Sequence, residues 1–179
     1  KILNKLVQKR VEYVAMEASS HGLDQFRLDG VSLTAAAYTN LSRDHLDYHS
    51  TEDDYLVSKC MLFDRVLTHE KIVVLNVDDN YAQVIKLVSE NRGHKVVKGG
   101  SDKTDDLKIC DQRVNSNGQI LKFLFQNCSE TVELPLIGAF QANNVLIAAA
   151  LVIASGAPPE RVFENLPKLQ TVPGRMELV

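Results

Sequence analysis

The sequence predicts an α/β domain: a mostly parallel sheet flanked by helices, with a small antiparallel subsheet added to it. Three observations predict it. KIVVLNV at 71–77 is an apolar, β-branched run of strand length, closed by Asp78-Asp79-Asn80 and followed by a helical stripe of Val84, Ile85, Leu87 and Val88. Residues 107–114 and 119–125 flank Asn115-Ser116-Asn117-Gly118, an Asn-Gly hairpin signal, and 131–134 reads as a third strand beyond it. A chain of 179 residues that is 45% apolar and 24% charged can also bury a core of ordinary size.

Taken in order, Ile2, Leu3, Leu6 and Val7 sit at helical spacing, and residues 11–16 read as a buried strand ending at Glu17. Ser19, Ser20 and Gly22 suggest a loop. Residues 33–39 form a second short strand that delivers Asn40 to the same rim. Thr51 followed by Asp54 is a capping-box variant, opening a helix whose stripe of Tyr55, Leu56, Leu62, Phe63 and Val66 runs to about Leu67. Lys59 is expected mid-helix, near its start. Residues 95–98 begin the next strand, and after the hairpin the chain returns to helix at 140–154, stopped by Gly156. Pro158 starts another helix ending near Leu166, and 172–175 reads as a linker. The chain opens at Lys1 without a Met and closes on Met176-Glu177-Leu178-Val179, so a fragment of a longer protein is expected.

Composition narrows the partners. A formal net charge of -3 with no Lys/Arg-rich block gives no sign of a nucleic-acid or membrane surface. The longest apolar run, 145–154, is too short to span a bilayer and the N-terminus lacks a signal-peptide layout, so a cytoplasmic location is the default expectation. Cys60, Cys110 and Cys128 are odd in number and without a CxxC pair, which argues against a disulfide framework or a structural zinc site.

The residues that could carry chemistry concentrate between Met16 and Lys59. Glu17 is expected at the carboxyl end of a strand, beside a glycine-containing loop, where α/β sheets place functional groups. A carboxylate there suits a hard cation such as magnesium, and position alone leaves a solvated strand-end acid equally open. Asp44-His45-Leu46-Asp47-Tyr48-His49 places two histidines four apart, a zinc-ligand spacing, but no HExxH pattern or third nearby histidine completes it. A magnesium or phosphate contact for His45 and a plain loop histidine both remain. Lys59 on a capped helix reads first as a solvated face residue, although burial could shift its pKa and give it a chemical role. His21, His69 and His94 are assigned to structure or surface, and Ser19 and Ser20 lack a GxSxG elbow. Gly99-Gly100-Ser101-Asp102-Lys103-Thr104 does not match a Walker A loop.

Together EASSHGLDQFR, YTNLSRDHLDYH, the lysine of YLVSKCMLF, LIGAFQANNVLIAAAL and VPGRME resemble the Mur ligase family, in order and over nearly the whole chain. SSHGL with its following Gln and Arg points to the branch that adds a diamino acid to UDP-N-acetylmuramoyl-L-alanyl-D-glutamate, and sets aside folylpolyglutamate synthase, a member of the same superfamily. The resemblance implies a P-loop-like central ATPase domain over residues 1–172, beginning after its phosphate loop, and a linker at 173–179 to an absent C-terminal domain. A fragment of this kind is expected to be inactive alone.

The resemblance further implies ATP as co-substrate, magnesium, peptidoglycan synthesis and a monomer. Glu17, His45 and a carbamylated Lys59 become magnesium-site residues, with Lys59 and His45 catalytic. Ser19, Gln25 and Arg27 become contacts to the muramoyl-dipeptide, and Asn144, Arg175 and Gln141 contacts to ATP. Gln141 departs from the Asn frequent in the family and reaches one methylene further. Meso-diaminopimelate is expected over lysine as the amino acid added. A metal-dependent hydrolase built on Asp44, His45, Asp47 and His49, and a non-catalytic nucleotide-sugar binding module, are the rival readings.

Overall fold

The computed structural model describes residues 2–41, 48–103 and 105–171. Among them six strands form one sheet in the order β1 (Ala35–Tyr38), β2 (Ile72–Asn76), β3 (Lys95–Gly100), β4 (Leu107–Asn115), β5 (Gly118–Phe125) and β6 (Cys128–Leu134). The first four are parallel and the last two join antiparallel, so the expected parallel sheet and antiparallel extension are both present. The helices are α1 (Ile2–Gln8), α2 (Ser20–Asp24), α3 (Glu52–Met61), α4 (Ala82–Asn91), α5 (Phe140–Ala154) and α6 (Pro159–Asn165).

β2 shows why its sequence is apolar throughout. Val73 and Leu75 face a core built with Tyr38, Tyr55, Phe63 and Ile85, whereas Val74 faces the opposite core of Leu121, Phe123, Leu146 and Ile147. A strand buried on both faces needs apolar residues at every position rather than at alternate ones. Three buried alanines, Ala142, Ala149 and Ala150, help α5 pack onto the second face. At Gly99 of β3 an added Cβ would lie 3.1 Å from Ile147 Cδ1.

α3 begins as its sequence indicates. The Thr51 hydroxyl accepts from Asp54 N at 3.1 Å and donates to the Asp54 carboxylate at 2.9 Å, and Glu52, Asp53 and Asp54 place negative charge in the first turn. Thr51→Ala is expected to cost about 1 kcal/mol, seen as faster amide exchange along α3 in the full-length protein. Unchanged exchange would show that the cap is redundant. The helix continues into a π turn, Leu62–Val66, that carries the apolar stripe to Leu67. Lys59 thus lies mid-way along the continuous helical run 52–66, as expected, but in the last turn of α3 itself rather than near its start.

Three local expectations are corrected. Residues 11–16 are exposed and form no strand. The free edge of β1 faces residues 14–18 across a groove of about 320 Å3, and among the described residues no backbone ladder bridges them. β-propensity marks a segment that suits a sheet, while a strand exists only where a neighbour lies within roughly 5 Å. Ser20 to Asp24, expected as loop, is the short helix α2, because the Ser19 hydroxyl accepts from Gly22 N at 3.1 Å. The hairpin turn is Ser116-Asn117, with Gly118 already paired to Asn115. Asn117 N donates to Asn115 Oδ1 at 2.8 Å, so asparagine supplies the turn's own hydrogen bond.

Candidate active site

The groove beside β1 collects the first two candidates. Glu17, Tyr38, Thr39 and Lys59 all line it, together with apolar side chains that include Leu28 and Leu33. Lys59 is half-buried; its ammonium donates to the Asn40 carbonyl at 3.1 Å and sits 5.0 Å from the centre of the Tyr55 ring. Burial pushes its pKa below the ordinary lysine value, against the opposing charges of Asp79 and Glu17. This is not the solvated face residue that helix position suggests. Burial favours the neutral amine, while the charges of Asp79 and Glu17 favour the protonated one.

Ser19, Gln25 and Arg27 flank α2. Ser19 caps the helix, and Arg27 Nη2 donates to Gln25 Oε1 at 2.5 Å. Gln25 Nε2 in turn donates to the Tyr48 hydroxyl at 3.3 Å, which donates to Asp24 at 2.7 Å. The loop carrying Gln25 and Arg27 is fixed from below by Arg65. Its guanidinium donates to Leu23 O at 2.7 Å, pairs with Asp29 at 3.3 Å and lies 4.2 Å from the centre of the Phe26 ring. Phe26 has φ +57°, a backbone state that a bulky residue adopts only where surrounding contacts impose it. Arg65 is the contact that sequence reading missed; its signal was a lone cation within an otherwise apolar helical stripe.

His49 is buried, with Nε2 2.9 Å from Ser20 Oγ and its ring stacked 5.1 Å from Tyr55. That nitrogen thus has a protein partner, which weakens the zinc reading of the Asp44, His45, Asp47 and His49 cluster. Asp44, His45 and Asp47 lie outside the described residues, as does Arg175. Among the described residues no group of three or more His, Cys, Asp or Glu could hold a metal ion. His94 is structural as expected: Nδ1 accepts from Lys71 N at 3.2 Å and Nε2 lies 2.9 Å from Phe63 O.

Gln141 and Asn144 share the first turns of α5, where Asn144 Nδ2 donates to Gln141 Oε1 at 3.4 Å. The loop entering this helix is held by two further glutamines unremarked in the sequence. Buried Gln119 donates to the carbonyls of Leu136 and Gly138 at 3.0 and 3.2 Å, and Gln112 donates to Ala139 O at 2.7 Å. Asp79 and Asn76, at the carboxyl end of β2, also reach the candidate site. They read in sequence as a turn aspartate and a strand asparagine.

Among the described residues no helix is long and apolar enough to cross a membrane. The sequence matches the Mur ligase middle domain over residues 1–152. It is 38% identical over 172 residues to a Zymomonas mobilis protein named UDP-N-acetylmuramoyl-L-alanyl-D-glutamate--2,6-diaminopimelate ligase, covering 96% of this chain and 35% of that protein. A Rickettsia bellii protein of the same name is 38% identical over 179 residues, covering 100% of this chain and 37% of its own length. The chain thus spans about a third of the length of these relatives. A solved structure of a ligase of that name superposes with a TM-score of 0.82 at 35% identity, over 91% of this chain and 34% of the other. The apo form of L. casei FPGS shares the fold at a TM-score of 0.67 and 18% identity, over 83% of this chain and 36% of that one. Sequence and superposition agree over most of the chain, and it belongs to the Mur ligase family through that family's middle domain.

Proposed function

We propose that the protein containing this chain is an ATP-dependent amide ligase of peptidoglycan synthesis. It adds a diamino acid, meso-2,6-diaminopimelate ahead of lysine, to UDP-N-acetylmuramoyl-L-alanyl-D-glutamate in the cytoplasm, as a monomer. The observation that carries the proposal is the groove beside β1 that Glu17 and the half-buried Lys59 both line, with the Glu17 charge acting on the Lys59 amine. The names of the relatives at 38% identity support the substrate.

The reaction divides into two displacements. A D-glutamyl γ-carboxylate oxygen bonds to the γ-phosphorus of ATP as the bridging P–O bond breaks and ADP leaves. The amine nitrogen of the diamino acid then bonds to the acyl carbon, phosphate departs with the C–O pair, and the nitrogen loses a proton. Both steps bring anions together, so most of what a protein can contribute is position and charge.

Glu17, His45 and Lys59, the last as a carbamate, would hold magnesium, whose chemistry is to neutralise the transferring phosphoryl group. The site fits that role because a carboxylate and an amine share one groove, and because burial disfavours the charged amine. Only the neutral amine can add carbon dioxide, and the resulting carbamate is an anionic two-oxygen donor. Arg27 offers a fork suited to a substrate carboxylate, with Gln25 and Ser19 beside it as further muramoyl-dipeptide contacts. Gln141, Asn144 and Arg175 are proposed to contact ATP.

The test is phosphate release by the full-length protein with ATP, magnesium and UDP-N-acetylmuramoyl-L-alanyl-D-glutamate, with diaminopimelate and lysine supplied in turn. Release that requires the nucleotide and one of the amino acids is expected. Folded protein that releases none with either would overturn the reading and return attention to a hydrolase.

A further inference from the structure

We propose that Asp79, with Asn76 beside it, is a positioning residue that clamps residues 38–41 and so fixes the carbonyl on which the Lys59 amine rests. The proposal rests on the ligase reading above and deepens it.

Four consecutive residues leaving β1 are each held by a side chain from elsewhere. The Tyr38 hydroxyl donates to Asp79 Oδ1 at 2.6 Å, and Asn76 Nδ2 donates to Thr39 O at 2.7 Å. Lys59 Nζ donates to Asn40 O at 3.1 Å, and Leu41 N donates to Asp79 Oδ2 at 3.3 Å. Asp79 is itself anchored, because Oδ1 also accepts from Tyr81 N at 3.0 Å. The Tyr81 hydroxyl donates onward to Glu52 at 2.8 Å, in the first turn of the same α3 that carries Lys59 in its last. One carboxylate thus ties the end of β1 to the turn after β2, and through Tyr81 to the base of α3.

The physical need is plain. A chain leaving the end of a parallel strand has no ladder to receive its N–H and C=O groups, and unpaired groups cost free energy where water is partly excluded. An aspartate offers two acceptor oxygens and asparagine a donor, which matches what residues 38–41 present. Burial, then the bond to Asp79, push the Tyr38 phenol above its ordinary range, so it remains a donor at neutral pH. The Asn40 carbonyl is thereby fixed relative to Lys59, and misplacement by about 1 Å near reacting groups can cost roughly 100-fold in rate.

Asp79→Asn is nearly isosteric yet breaks the clamp. With its remaining oxygen kept on Tyr38 and Tyr81, its NH2 group meets Leu41 N–H, donor against donor; turned over, it opposes Tyr81 N–H instead, and the Tyr38 hydroxyl must turn from donor to acceptor. In the full-length protein Asp79→Asn is expected to lower kcat about 10–100-fold while KM for ATP and the nucleotide substrate stays within about 2-fold. Amide exchange at Leu41 should quicken in the same variant. Asp78→Asn, which removes a charge from the same turn at a side chain that accepts from Ser101 and, among the described residues, bonds to none of residues 38–41, should keep wild-type kcat and wild-type exchange at Leu41. Wild-type kcat in Asp79→Asn, unchanged exchange at Leu41, or an equal kcat loss in Asp78→Asn would overturn the proposal. Wild-type protein without nucleotide-dependent phosphate release would sink the ligase reading, while exchange at Leu41 would still decide the clamp.

Discussion

Lys59→Ala in the full-length protein is expected to lower turnover by roughly 10²–10³, because several kcal/mol of charge stabilisation are lost and about 1.4 kcal/mol corresponds to a factor of ten. The half-buried amine donates to the Asn40 carbonyl and feels both Glu17 and Asp79, so truncation removes the group at the centre of these interactions. Added short carboxylic acids should restore part of the activity, since their two oxygens can occupy the space of a carbamate. Lys59→Arg should be as impaired as Lys59→Ala, because a guanidinium keeps the positive charge and does not add carbon dioxide. Phosphate release under the conditions above measures all three. Full turnover in Lys59→Ala would end the carbamate role.

Gly118→Ala should produce the largest loss of stability. Gly118 has φ +150°, and an added Cβ would collide with Leu134 O and lie 3.1 Å from Pro135 Cα. Both obstacles are backbone, in the paired strand β6 and immediately after it, so relief requires moving the strand rather than rotating a side chain. A cost of about 3 kcal/mol is expected from overpacking together with backbone strain. Amide exchange across β5 and β6 in the full-length protein checks it, and wild-type rates would show that the end of β6 shifts to accept the methyl group without loss of pairing. Loss of this pairing would also loosen buried Gln119, which holds the carbonyls of Leu136 and Gly138 ahead of α5.

The elements most legible in sequence were those whose signals are local. The Thr51 cap, the apolar run of β2, the hairpin pair β4 and β5, and the Gly156 stop after α5, at φ +103°, each depend on residues within one turn or one strand. Glu17 and Lys59, both candidates from the sequence, line one groove, yet the environment of Lys59 was not readable from helix spacing. Its burial comes from β1 and the strand-end backbone, 19 residues away at Asn40. Arg65 was equally opaque, because its partners Leu23, Phe26 and Asp29 lie on a loop that precedes it by dozens of residues.

By itself the sequence determined the alternation of strands and helices, the antiparallel extension, and the set of carboxylate, amide and basic side chains on which the proposed ligation draws. Those properties follow from periodicity, turn residues and donor inventory, which act over a few residues. Only the tertiary structure decided that residues 11–16 remain unladdered, that Gly118 serves close approach rather than the turn, and that Asp79 is a clamp on residues 38–41 rather than a plain turn residue. Each of those depends on which backbone lies opposite, and that is settled by how the sheet and helices pack, not by any local run of residues.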